Sequence, residues 1–247
     1  MIKEIEELYS IFNSIKKRGW IEGTIKGYSD VGKTFEKLIG VNDNTFEIPD
    51  YKNIEIKTKQ SKNNLYSTLF NCKPDGPYYM ETERLKDTYG YSDRNMPKYK
   101  VLNNSVFCNE YVIIGNRYKF KLEINKEEKR IYLGIYSLKK ELIEKSTYWD
   151  FDTLEEKLYR KMNLLAYVHA IKKYIKGKTY FKYTDINFYK LKSFNNFIDA
   201  LEKGKIRVTF KVGIYKSGNK LGKTYDHGTG FDIKEEDLLE LYEQIYI

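Results

Sequence analysis

Residues 49–57 read Pro49-Asp50-Tyr51-Lys52-Asn53-Ile54-Glu55-Ile56-Lys57. The alternation from Ile54 to Lys57 predicts a β-strand, in which residues two apart share a face. Glu55 and Lys57 then point together, while Ile54 and Ile56 turn into a core on the other side. Tyr51-Lys52-Asn53 reads as a turn, so Asp50 can converge on the same spot from a neighbouring strand. The carboxylates of Asp50 and Glu55 and a main-chain carbonyl, that of Ile56, are hard oxygen ligands. Magnesium takes such ligands together with the phosphate oxygens of a substrate. A lysine beside them, Lys57, can orient or deprotonate an attacking water and steady the charge growing on a phosphate. In outline this is a phosphodiesterase site.

The spacing Asp-x4-Glu-x-Lys recurs at Asp150, Glu155 and Lys157. That copy falls at the start of a predicted helix, where side chains two residues apart diverge by about 200° and cannot share one ion. The strand copy has a further acid within reach. Glu36 flanks the Phe35, Leu38 and Ile39 stripe of the preceding predicted helix, and approaches the site if that stripe packs on the sheet. The competing reading is a solvated strand face, because 32% of the residues are charged and acid-x-Lys patterns are common in such a chain.

Longer blocks bear on the choice. Val31-Gly32-Lys33-Thr34-Phe35-Glu36-Lys37-Leu38-Ile39-Gly40 is followed by Ile48-Pro49-Asp50-Tyr51, Ile54-Glu55-Ile56-Lys57-Thr58 and Thr68-Leu69-Phe70. Together they resemble the catalytic block of the MvaI/BcnI type II restriction endonucleases. These are relatives of the mismatch-repair nicking endonuclease MutH in the PD-(D/E)XK nuclease superfamily. Asn163-Leu164-Leu165-Ala166-Tyr167-Val168, Tyr180-Phe181, Tyr183-Thr184, the stretch 194–204 and Asp226-His227-Gly228-Thr229-Gly230-Phe231 resemble a second block of that family.

The resemblance implies an α+β, restriction-endonuclease-like (MutH-like) fold, a mixed sheet flanked by helices, with two lobes around a DNA cleft. It implies that Asp50 and Glu55 hold Mg2+, that Glu36 assists from its helix and that Lys57 serves the water. It further implies a monomer with one active site, double-stranded DNA as substrate and a cognate DNA methyltransferase in the host. The lobes are expected at 1–105 (catalytic) and 106–247 (recognition), the second able to lend strands back to the first. One departure stands out: Asp232 follows Gly230-Phe231 where a basic residue is expected.

Gly27-Tyr28-Ser29-Asp30-Val31-Gly32-Lys33-Thr34 also fits the phosphate-cradling pattern G-x-x-x-x-G-K-[ST]. Its context argues against nucleotide binding. The preceding run Trp20-Ile21-Glu22-Gly23-Thr24-Ile25-Lys26 is too polar for a buried parallel strand. Val112-Ile113-Ile114 ends in Gly115-Asn116 rather than in a magnesium-binding Asp. Gly32-Lys33-Thr34 is read instead as the opening of the helix that carries Glu36.

The 247 residues carry 44 basic and 35 acidic side chains, a net charge of +9, which favours a polyanionic partner. Two cysteines, Cys72 and Cys108, lie in no metal-ligand spacing and suggest free thiols in a reducing cytoplasm. The start, Met1 to Leu8, reads as a charged amphipathic helix rather than a signal peptide, and no apolar run approaches a membrane span.

Along the chain, helices are expected at about 2–17, 32–39, 152–176, 193–204 and from 234. Strands are expected at 45–48, 54–58, 65–70, 110–124, 130–138, 179–191 and 206–214, and a long polar loop at 71–105. For DNA recognition, His227 in its Gly-rich loop can read a base edge or simply brace the loop. Arg207 and Lys211, on the outward face of their strand, can contact phosphate or merely solubilise. His169 is expected to be a packed or half-exposed helix residue. These readings point to a magnesium-dependent, sequence-specific DNA endonuclease leaving 5′-phosphate and 3′-hydroxyl ends. The rivals are a MutH-like nickase and an inactive DNA-binding scaffold, against which the intact Asp50, Glu55 and Lys57 argue.

Overall fold

A computed structural model describes residues 2–25, 27, 29–41, 48–60 and 66–247. Among them are six helices: α1 (Ile2–Lys17), α2 (Asp30–Leu38), α3 (Glu81–Tyr89), α4 (Phe151–Met162), α5 (Phe194–Glu202) and α6 (Leu238–Leu241). None is long and apolar enough to cross a membrane. The chain forms two compact units that interleave in sequence. One comprises Met1–Leu65, Lys157–Ser193 and Leu241–Ile247; the other comprises Tyr66–Glu156 and Phe194–Glu240. The units therefore do not follow a single cut near residue 105.

In the first unit, α1 buries Ile5, Leu8, Phe12 and Ile15, spaced three and four apart as an amphipathic helix requires. Each such side chain contributes roughly 1.5–3 kcal/mol when fully withdrawn from water. They join Val31 and Phe35 of α2 against one face of a mixed sheet, through Ile54, Ile56, Leu164, Ala166, Val168, Phe181 and Phe188. The main path of that sheet runs Ile21–Glu22, Lys178–Leu191, Leu164–Ile175, Glu55–Gln60, and Tyr242–Ile245 pairs with Lys178–Leu191. The Glu55–Gln60 strand pairs in parallel with Leu164–Ile175, setting Leu165 opposite Glu55 and Tyr167 opposite Lys57. Between these parallel neighbours the chain builds most of the second unit.

The helix expected over 152–176 ends at Met162, and Leu164–Ile175 is a strand. Leu164 to Val168 are all buried, since this strand is paired on both edges and covered on both faces. A buried strand and a helix give equally apolar runs, so periodicity alone could not separate them. His169 accordingly sits half-buried on a strand, its ring 5.5 Å from that of Tyr167.

The second unit holds two sheets. One runs Tyr66–Asn71, Gly230–Lys234, Ile206–Ile214, Lys100–Val106, Tyr91–Ser92; the other runs Tyr148–Asp150, Arg130–Ser137, Tyr118–Asn125, Val112–Ile114. Its core is aromatic, with the Phe70 and Phe231 rings stacked 5.1 Å apart and Trp149 edge-on to Phe231 at 6.0 Å.

The expected loop at 71–105 contains α3 and most of the Lys100–Val106 strand. The buried side of α3 includes Glu81, Thr82 and Lys86 beside Leu85 and Tyr89, so its apolar stripe is too thin to read. Glu81 is neutralised there by Arg84 at 2.6 Å. The helix expected from 234 is only the four-residue α6, after which Tyr242–Ile245 is a strand. The strand expected at 45–48 falls, apart from Ile48, outside the described residues.

Candidate active site

A tight turn brings Asp50 and Glu55 together. Tyr51 and Ile54 exchange two main-chain hydrogen bonds, at 3.0 and 2.8 Å, around Lys52-Asn53. Lys52 takes a left-handed conformation, φ 52°, to close the turn. The turn is tied to α1, where Glu7 accepts from the Tyr51 hydroxyl at 2.8 Å and pairs with Lys52 at 2.5 Å. Asp50 Oδ2 accepts from the Ile56 amide at 2.9 Å. A residue in a strand points its N–H and C=O to the same side. The Ile56 carbonyl therefore lies on the edge that faces Asp50, opposite to the edge paired with Leu164–Ile175.

Ile54 and Ile56 enter the core, as the alternation predicts, yet Glu55 is no solvated residue: it is 1% exposed. Lys57 Nζ lies 2.5 Å from Glu55 Oε1, and Lys161 of α4 approaches the same oxygen at 3.5 Å. Glu55 Oε2 is buried without a hydrogen-bond partner. Burial pushes the Glu55 carboxyl above the usual carboxylate range; Lys57 pulls it down, Asp50 pushes it further up, and Lys161 pulls it down.

A raised acid binds protons more readily in the native chain than in the unfolded one. The stability it lends is present below the ordinary carboxylate pKa and lost as pH rises through the raised value. Melting temperatures of cation-free protein from about pH 4 to about pH 8 should therefore fall relative to those of Glu55→Gln as pH rises. Parallel profiles for the two proteins would contradict this assignment of strain to Glu55.

Glu36 points from α2 toward Lys33, with Lys33 Nζ 3.0 Å from its Oε2, and no direct bond joins it to Asp50, Glu55 or Lys57 among the described interactions. The acid at the start of this helix, Asp30, is turned back onto the residues that lead into it. Asp30 is 2% exposed, and its Oδ1 accepts from the amides of Thr24 and Ile25 at 3.0 and 3.1 Å and from Thr34 Oγ1 at 3.0 Å. A Cβ at Gly23 would stand 2.3 Å from that carboxylate. Thr24 and Ile25 precede the Gly27–Thr34 pattern, but the buried carboxylate of Asp30 lies within it and opposes a bound phosphate by like charge. The strand before them is a two-residue antiparallel edge, Ile21–Glu22. Among the described residues no cluster of three or more His, Cys, Asp or Glu side chains is gathered to hold a metal.

The family model of the MvaI/BcnI restriction endonucleases matches residues 9–242. The chain belongs to the MvaI/BcnI restriction endonuclease family. It is thus a type II site-specific deoxyribonuclease. The solved restriction endonuclease MvaI–cognate DNA substrate complex is similar to it with a TM-score of 0.91 and 32% identity, over 99% of this chain and 98% of that one. Restriction endonuclease MvaI in the absence of DNA gives a TM-score of 0.65 and 31% identity, covering 99% and 98%. No curated protein sequence matches.

In this MvaI/BcnI member, the residues expected to touch DNA lie in the second unit. His227 is exposed, its amide donates to the Lys211 carbonyl at 3.0 Å, and its ring meets Tyr225 edge-on at 4.1 Å. The preceding Asp226 braces the loop, accepting from the Gly228 amide at 2.7 Å and from Thr82 at 2.8 Å.

Arg207 and Lys211 lie on the less buried face of their strand, alternating with the buried Ile206, Val208, Phe210 and Val212, and both are half-buried. The Arg207 guanidinium stacks 3.5 Å above the Tyr66 ring, and its Nε stands 3.5 Å from Asp232 Oδ2. Lys211 donates to Thr68 at 3.3 Å. Asp232, the departure from the expected pattern, is 3% exposed and accepts from Thr68 and Thr209 at 2.7 and 2.6 Å. It is the hub of this polar sheet face. Sequence reading missed the arrangement because strand register alone sets Arg207 opposite Asp232.

Proposed function

We propose that this MvaI/BcnI member cuts double-stranded DNA at a defined sequence in a magnesium-dependent reaction at Asp50, Glu55 and Lys57. The observation that carries the reading is Glu55: a carboxylate 1% exposed with one oxygen ion-paired and the other without a partner. An orphaned buried oxygen costs about 1–3 kcal/mol or more when charged, and a cation is the partner that would satisfy it. Magnesium fits the donor set, because it binds through one or two carboxylates and completes its shell with water and substrate phosphate. Asp50, Glu55 and the Ile56 carbonyl would hold it. When bound, magnesium supplies Lewis-acid polarisation of the phosphate and a more acidic water.

The protein's own groups do the rest. Lys57, tethered to Glu55, orients the attacking water and steadies the negative charge that develops on the phosphate. In-line attack leaves a 5′-phosphate and a 3′-hydroxyl. Glu36, held by Lys33, acts from the helix as an auxiliary acid. The chain works as a monomer, alongside a methyltransferase that protects host DNA. The second unit reads the sequence, with Arg207 and Lys211 contacting the backbone and His227 a base edge.

Digesting mixed plasmid DNA with magnesium and sequencing the ends tests the proposal. Recurrent ends at one short sequence are expected; breaks scattered without sequence preference would overturn it. His227→Ala carries the recognition part. It should cost about 1–3 kcal/mol of discrimination, seen as cleavage at single-base variants of the site. Unchanged specificity with a lower melting temperature would make His227 a loop brace.

A further inference from the structure

Lys161 stands at the Glu55 carboxylate without being part of the Asp50, Glu55, Lys57 pattern. It is carried by the last turn of α4, where Leu154, Leu158 and Met162 are fully buried and fix the helix. The Tyr242 hydroxyl donates to the Met162 carbonyl at 3.2 Å and secures that turn. Lys161 is thus delivered by a firmly seated element, its side chain 26% exposed and its ammonium 3.5 Å from Glu55 Oε1. Lys57 takes the same oxygen at 2.5 Å. Two ammonium groups therefore face the buried Glu55 carboxylate, and the carboxylate of Asp50 is the other acid close enough to act on it.

We infer that Lys161 is a second lysine of the active site: it acts as counter-ion to Glu55 while no cation is bound, and serves the scissile phosphate once the cation has engaged Glu55. The inference rests on the reading of Glu55 as a cation ligand. A lysine and a divalent cation compete for the same carboxylate, since both draw on its single charge. Once a cation at Oε2 takes up that charge, the ammonium at Oε1 is freed to turn to another anion within the site on its flexible stem. A phosphate gaining charge in the transition state is the partner it would meet.

This double role gives two effects of opposite sign, which a merely structural lysine would not produce. Lys161→Met keeps most of the stem and removes the charge. Calorimetric titration of the DNA-free protein with calcium should show affinity rising about threefold to tenfold, because a competing charge is gone. The single-turnover cleavage rate at saturating magnesium should fall about 10- to 100-fold. Lys161→Arg should restore both values toward wild type. Calcium affinity that is unchanged or weaker, or a cleavage rate that is unchanged, would overturn the inference. Lys161→Gln repeats the test with a polar side chain; if neither uncharged variant folds, the lysine is only structural and the inference fails. Glu55→Gln separates this inference from the reading beneath it. If Glu55→Gln binds calcium as wild type does, Glu55 is not the cation ligand and both fall. If it loses calcium while Lys161→Met behaves as wild type, only the role of Lys161 falls.

Discussion

Asp50→Ala, Glu55→Ala and Lys57→Ala should each lower DNA cleavage by about a thousandfold or more, because each removes a cation ligand or the partner of the attacking water. All three should still fold, since none of these side chains fills the apolar core beneath Ile54 and Ile56. The recurring spacing supplies an internal control. Asp150 ends a strand and pairs with Arg130 at 2.8 Å, while Glu155 lies on α4. Asp150→Ala and Glu155→Ala should leave cleavage close to wild type. Lys157 is a poorer control, because it sits one helical turn from Lys161. Single-turnover rates on a defined duplex, with melting temperatures to confirm folding, decide the matter. Full activity in the strand variants together with loss in Asp150→Ala or Glu155→Ala would move the active site elsewhere.

The second large effect is on binding. With calcium replacing magnesium, so that turnover stops, affinity for DNA should fall steeply with salt. A chain of net charge +9 engages phosphates through lysines and arginines and releases their counterions. With about 6–10 phosphate contacts, the loss between about 50 and about 200 mM salt is about 10³ to 10⁵ in affinity. Fluorescence anisotropy of a labelled duplex over that range measures it. A flat plot of log K against log salt would exclude backbone neutralisation as the basis of binding.

Why some of this was legible in the sequence follows from distance along the chain. Asp50, Glu55 and Lys57 are local: a two-residue turn and a strand alternation bring them together, and both can be read from nine residues. Their surroundings are not local. Lys161 reaches Glu55 only because Leu164–Ile175 pairs in parallel with Glu55–Gln60, and that strand read as the continuation of a helix. The burial of Glu55 has the same origin, since Leu165 and Tyr167 in that neighbouring strand stand opposite Glu55 and Lys57. Composition alone therefore left a solvated face open. The α2 helix was readable from its stripe, yet the lysine partner of Glu36 and the bonds of Asp30 to Thr24, Ile25 and Thr34 depend on side-chain geometry that a motif does not encode. In the second unit, Asp232 departed from the resembled pattern, and its buried hydrogen bonds to Thr68 and Thr209 arise from strand register between distant segments.

The proposed reaction requires a divalent cation held between Asp50, Glu55 and the Ile56 carbonyl. Manganese, which prefers the same oxygen ligands as magnesium, can be located by its anomalous scattering in crystals of the protein soaked with it. One strong anomalous peak is expected in direct contact with Asp50, Glu55 Oε2 and the Ile56 carbonyl, and none in Glu55→Gln. A peak elsewhere with Asp50 and Glu55 bare, or one that persists unchanged in Glu55→Gln, would contradict it.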